Sequence, residues 1–259
     1  MSIIWSGLMP HPPIVVKAVG GMRCAEVALT IGSMRSLARD MVAADPHGLI
    51  LISPHTPRPA RGIAAWKTAR LEGHFGNFGA AETVIDLPNH VAWTERFARF
   101  FPQVTELTEQ HLDHGALVPL HFLAEAGWHG PTCVLGLPWE GDLEKIGAAV
   151  ARACEGPDTY ALLASGDMSH CLKPGAPSGF DPMGKIFDDT FVNLIRTADY
   201  RGVLEINSYL CGKACQDVVE SCRIAWTATG FHSQNHRFYS YEGPFGVGYG
   251  VMKFFGVSA

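Results

Sequence analysis

GLILISPHTP, residues 48–57, is the stretch on which the fold of this 259-residue chain turns. Leu49, Ile50, Leu51 and Ile52 form a short unbroken apolar run closed by Ser53-Pro54. Such a run reads as a parallel strand buried on both faces, because a half-exposed strand would alternate apolar and polar residues. His55 follows at the carboxyl end, where open α/β sheets place their ligands. Pro54 and Pro57 restrict the backbone around it. A histidine held stiffly at a strand end is a candidate metal ligand or acid–base group.

Working outward, Ile3–Leu8 reads as a strand broken at Pro10-His11-Pro12-Pro13. Cys24–Ala44 has helical spacing, with Val27, Ile31, Met34, Leu37 and Met41 on one face. The opening is therefore β-loop-α-β, a unit that favours a parallel pair. Residues 57–80 are irregular and rich in Gly, Arg and Ala, which suits a functional loop or a pair of edge strands. Thr83–Leu87, Pro131–Gly136 and Thr159–Ser165 read as strands. Helices are expected at Asn89–Phe100 (capped by Asn89), Leu117–Ala126, Asp142–Cys154 and Lys185–Thr197, with a further helical region over Tyr200–Thr229. Arg237–Phe255 holds two strand-like runs. The expectation is one α/β domain over residues 1–259, with a mostly parallel or mixed sheet flanked by helices.

Composition narrows the function. Apolar residues make up 47% and charged residues 17%, which suits a packed core over a disordered chain. A net charge of −5 without a long basic run argues against nucleic acid or an anionic membrane as partner. No apolar stretch reaches bilayer length, and MSIIWSGLMPHPP lacks the basic start of a secretion signal. Seven cysteines without a CxxC pair fit reduced thiols, so a cytoplasmic location is expected. The low charge fraction also suggests apolar surface covered by another subunit, either a second copy or a small partner chain.

Four histidines share one kind of setting: His11 after IIWSGLMP, His55 after LILISP, His114 in LDHG and His170 in LLASGDMSH. Strand ends of a doubly wound sheet lie along one edge, so these residues can converge. Two neutral imidazoles and one carboxylate suit non-haem Fe(II), because they leave one face of the ion open. Glu220, flanked by apolar residues in CQDVVESCRIAW, is the preferred carboxylate; the competing reading pairs it with Arg223 on a helix surface. Arg58, Arg61 and Lys67 could receive a substrate carboxylate.

PHPP, SPH, LDHGALVPLHFL, SGDMSH and YEGPFGVGYGV, in that order from Leu8 to Val251, resemble the class III (LigB-type) extradiol ring-cleavage dioxygenases. The likeness is strongest to the branch related to the Memo family. It implies an Fe(II)-dependent enzyme that opens the ring of a catechol-type diol with O₂. By motif, His11 and His55 become metal ligands, His170 the acid–base group and His114 a substrate-facing histidine, with Asp167 orienting His170. Related sequences carry the third ligand on a late helix. Glu220 takes that place here, and Cys211 is the alternative that would bring the chain closer to Memo-like metal-binding or redox proteins without ring cleavage. A zinc-dependent hydrolase using Asp167 and the histidines is a third reading.

Overall fold

The computed structural model describes residues 2–109 and 111–257. Its strands are β1 (Ile3–Met9), β2 (Gly48–Ser53), β3 (Ile63–Trp66), β4 (Arg70–Phe75), β5 (Ala80–Pro88), β6 (Val104–Leu107), β7 (Thr132–Gly136), β8 (Tyr160–Ser165), β9 (Arg237–Glu242) and β10 (Tyr249–Gly256). Its helices are α1 (Lys17–Gly20), α2 (Ala28–Ala43), α3 (Val91–Phe100), α4 (His114–Glu125), α5 (Leu143–Ala153), α6 (Pro182–Arg196), α7 (Tyr200–Leu204), α8 (Ser208–Ala214) and α9 (Val218–Ala228). Eight strands form one mixed sheet in the order β6-β3-β7-β2-β8-β1-β10-β9, and β4 pairs with β5 apart from it. This is the α/β architecture expected from the sequence. No helix among the described residues is long and apolar enough to cross a membrane.

The unbroken apolar runs are explained by two core layers. Ile50 and Ile52 of β2, with Leu162 and Ala164 of β8, face the layer containing Trp93, Phe187 and Trp226. Leu49 and Leu51, with Ala161 and Leu163, face the opposite layer containing Met34, Leu37 and Phe122. Both faces of the central strands are thus removed from water, and every side chain in the run must be apolar.

β1 and β2 are parallel in sense but not neighbours, because β8 lies between them and pairs in parallel with each. That insertion places three carboxyl-terminal strand ends side by side. Residues 57–80 include β3 and β4, while β6 gave no clear sequence signal. The long helix begins at Ala28, not Cys24, because Gly21–Val27 winds as a tighter 3-10 turn. Its first turn is capped from far away: Glu242 accepts from the backbone N–H of Thr30 at 2.8 Å and from its hydroxyl at 2.6 Å. Asn89 does not cap α3. Its side-chain amide donates instead to the carbonyls of Trp66 (2.9 Å) and Thr68 (2.7 Å), holding the β3–β4 connection.

A buried carboxylate secures the loop after β8. Asp188, wholly inside on α6, accepts from the Ser169 N–H at 2.8 Å and the Tyr241 hydroxyl at 2.6 Å. Burial pushes its pKa up to about 6, against the pull of those two donors. Between the ordinary carboxylate value and about 6, the folded chain keeps a proton that the unfolded chain has lost, so stability falls as pH rises through that window. Asp188→Asn keeps an acceptor for Ser169 and a donor for Tyr241 without the charge. Urea unfolding should show the variant gaining on the parent as pH rises from 4 to 7, by on the order of 2–3 kcal/mol; a difference independent of pH would refute this account.

Candidate metal centre

His11 follows β1, His55 follows β2 and Asp167 follows β8, at adjacent strand ends. His114 is the first residue of α4, whose preceding Asp113 accepts from the Ala116 N–H at 3.2 Å as helix cap and from the Ser53 hydroxyl at 3.4 Å. Close approach of α4 to β2 requires Gly115, since a Cβ there would lie 2.6 Å from Ser53 Oγ. The imidazoles crowd together as a result. Ring centroids are 4.7 Å apart for His11 and His55, 4.3 Å for His55 and His114, and 5.5 Å for His11 and His114. One nitrogen from each lies within 4.8 Å of the others, close enough to share an ion.

The chain also sets the tautomer of His11. Pro119 lies inside α4 and has no N–H, so the Gly115 carbonyl four residues earlier loses its helical donor. The Ser165 hydroxyl fills that place, donating to Gly115 O at 2.5 Å. Its single proton is then committed, so the contact at 2.9 Å between Ser165 Oγ and His11 Nδ1 must have the imidazole as donor. In neutral His11 the lone pair is left on Nε2, which is buried and makes no hydrogen bond. An orphaned buried nitrogen among other imidazoles fits a metal ligand.

The carboxylate at this point is Asp217. Its Oδ2 lies 3.1 Å from His55 Nε2 and 3.5 Å from His11 Nε2, and its Oδ1 accepts from the Asp167 N–H at 2.7 Å. Asp217 precedes α9 at the cap position but makes no capping bond; Gln216 Oε1 accepts from Val219 N at 2.9 Å instead. The tip of β8 lies against the start of α9, where a Cβ on Gly166 would come 2.5 Å from Val218 Cα. Glu220, the expected carboxylate, is corrected by this geometry. It points to the Arg58 guanidinium at 2.8 Å, neither to the histidines nor to Arg223, which pairs with Glu144. Cys211 donates to Ile206 O at 3.8 Å and does not line the cavity.

Asp167 serves His11 where the sequence suggested His170: its Oδ1 accepts from the His11 N–H at 2.9 Å. His170 is fixed through its backbone, donating to Ala214 O at 2.9 Å and accepting from Ser178 N at 3.2 Å, and its ring Nδ1 is buried without a hydrogen bond. His11, His55, His114, Asp167 and His170 all line one cavity of about 390 Å³, a size suited to a small molecule. Its walls are apolar, formed by residues such as Pro13, Ile14, Val247 and Tyr249. Arg58, Arg61 and Lys67 are absent from this lining and pair with Glu220, Glu140 and Glu106.

Electrostatics separates the imidazoles. Burial opposes protonation of His11, but Asp167 and Asp217 outweigh it and raise its pKa to about 9. Burial pushes Asp217 upward, yet its contacts with His11 and His55 hold its carboxyl well below the usual range. His114 is pushed down to about 3, first by burial and then by charge on His11 and His55.

A family model described as the catalytic LigB subunit of aromatic ring-opening dioxygenase matches residues 7–252. Protein CA_C1420 of Clostridium acetobutylicum is 28% identical over 271 residues, an alignment covering 98% of this chain and 58% of that protein's length. The crystal structure of uncharacterized protein JW3007 from Escherichia coli K12 superposes with a TM-score of 0.62 at 14% identity, covering 97% of this chain and 99% of that one. This second likeness concerns the fold.

Two outcomes follow from the site. Ser165→Ala removes the acceptor of His11 Nδ1–H and should weaken divalent-metal binding by roughly 10–100-fold in calorimetric titration; unaltered affinity would remove the tautomer argument. A cation must also displace the His11 proton. Apparent affinity should therefore climb about tenfold per pH unit from 6 to 8, below the His11 value of about 9, and flatten above it.

Proposed function

The chain belongs to the LigB family of aromatic ring-opening dioxygenase catalytic subunits, and from that premise we propose that it is a non-haem Fe(II) extradiol dioxygenase acting on a catechol-type diol. The observation that carries this reading is the meeting of Asp217 with the Nε2 atoms of both His11 and His55. His11, His55 and Asp217 would hold the ion, leaving one side open toward the cavity. The chemistry that a ferrous ion held there would supply is Lewis acidity toward the diol and activation of O₂, both atoms of which would end in the ring-opened product.

The protein's own residues supply position and protons. The apolar walls receive the aromatic ring and exclude water from it. His170 lines the same cavity with no hydrogen bond at Nδ1, so its ring is uncommitted within the protein. An imidazole has one nitrogen that can accept a proton and one that can donate it, which suits His170 to take a proton from a diol hydroxyl and return it to the product. His114 cannot be that acid, because its low pKa keeps it neutral. It would instead hydrogen-bond the diol or the oxygen that meets it. The carboxylate of Asp167, bound to the His11 backbone, keeps the first ligand's loop in place.

A second reading has one observation in its favour. Three imidazole nitrogens within 4.8 Å also suit zinc with His114 as third ligand, as in a metal-dependent hydrolase. Metal analysis after anaerobic purification separates the two. Loaded with Fe(II), the protein should consume O₂ with catechol and release a yellow ring-opened product. His55→Ala and Asp217→Asn should each cut the rate at least about 100-fold, and Glu220→Gln should retain most of it. O₂ uptake unchanged in His55→Ala, or stoichiometric zinc without iron, would sink the dioxygenase reading.

A further inference from the structure

We propose that Cys171 and Cys215 form a peroxide-responsive dithiol, a modification site at which oxidation links the loop bearing His170 to the segment bearing Asp217. This inference does not depend on the ring-cleavage reading. The two stretches run antiparallel beside the candidate metal centre. At one end the Asp217 N–H donates to Asp167 O at 3.2 Å, and at the other the His170 N–H donates to Ala214 O at 2.9 Å. Each cysteine follows directly on a member of that second bond. Lys213 reinforces the junction by pairing with Asp181 at 3.6 Å, and the Asp181 N–H returns to Cys171 O at 3.0 Å. There the side chains meet: burial, and then contact with the Cys215 thiol, push the Cys171 thiol up to about 11.

The two sulfurs are unequal. Cys215 is the exposed one among the seven free cysteines, whereas Cys171 is buried. Cys133, Cys154 and Cys222 are buried as well, so an oxidant arriving from solvent meets Cys215 before them. Cys215 also closes α8 with a φ of 52°, in the left-handed region where glycine ends helices with least strain. Access to solvent makes Cys215 the attacking sulfur and Cys171 the resolving one. Cys215 takes one oxygen of hydrogen peroxide as the O–O bond breaks, and the other oxygen leaves with the thiol proton as water. The Cys171 sulfur then bonds to the Cys215 sulfur, the S–O bond breaks, and hydroxide leaves with the Cys171 proton as a second water. Two electrons pass from the thiol pair to the peroxide, and an external dithiol returns them by exchange.

The test treats the full-length protein, its metal site loaded with redox-inert Zn(II), with hydrogen peroxide. Non-reducing peptide mapping should find residues 171 and 215 joined. The intact chain should lose the mass of two hydrogen atoms, and dithiothreitol should restore it. Cys215→Ser should abolish the bridge. Cys171→Ser should instead leave Cys215 as a sulfenic acid that dimedone labels, a species the parent resolves before it can be labelled. Cys24→Ser should form the bridge as the parent does. The proposal is overturned by a Cys215 that stays a thiol under peroxide, or that halts at a sulfenic or sulfinic acid while Cys171 is intact. A bridge from Cys215 to any other cysteine overturns it equally.

Discussion

One hydroxyl proton holds the candidate site together. Ser165 can donate once, and that donation goes to the Gly115 carbonyl that Pro119 deprives of a helical partner. The oxygen of Ser165 is then an acceptor, and the imidazole after β1 takes its orientation from it. A proline within a helix is ordinarily a cost, since it removes a hydrogen bond and crowds the preceding turn. Here the missing bond ties α4, β8 and the loop after β1 at a single buried oxygen. Leaving that carbonyl unmatched would cost about 1–3 kcal/mol, which keeps the three segments in register.

The carboxylate depends on a similar exchange of partners. An aspartate before a helix normally accepts from the first turn, and its charge is also favoured there by the helix dipole. Gln216 performs the capping at α9, so Asp217 keeps the favourable position for an anion while its oxygens reach His11, His55 and the Asp167 N–H. The lack of a side chain at Gly166 lets the helix start press on the β8 tip. Glu220, one turn further on, faces away and meets Arg58, which also lies over Trp139.

Much of this was legible in the chain, and the misses have physical reasons. Apolar runs such as Leu49–Ile52 identify buried strands because no polar side chain could survive there, and the histidines after them mark the sheet edge. Strand neighbours were not legible: nothing local in β1 or β2 says that β8 will insert between them. Asp217 was missed because a capping residue and a released one look alike in sequence. Glu220 drew notice for its apolar neighbours, yet Val218, Val219 and Cys222 lie on the buried side of α9 while Glu220 does not.

A buried histidine with a raised pKa is itself a statement about the field. Burial alone would strip His11 of its proton, so a value near 9 means that the surrounding carboxylates overcome the desolvation of a cation at that point. Asp113 contributes in the same sense from the α4 side. The same field favours any cation placed among these nitrogens, and a divalent ion gains more from it than a proton does. His114, held neutral first by burial and then by its neighbours, adds a lone pair without adding to the repulsion. The proton on His11 in the metal-free protein and the metal in the working site are thus alternative occupants of one electrostatic minimum.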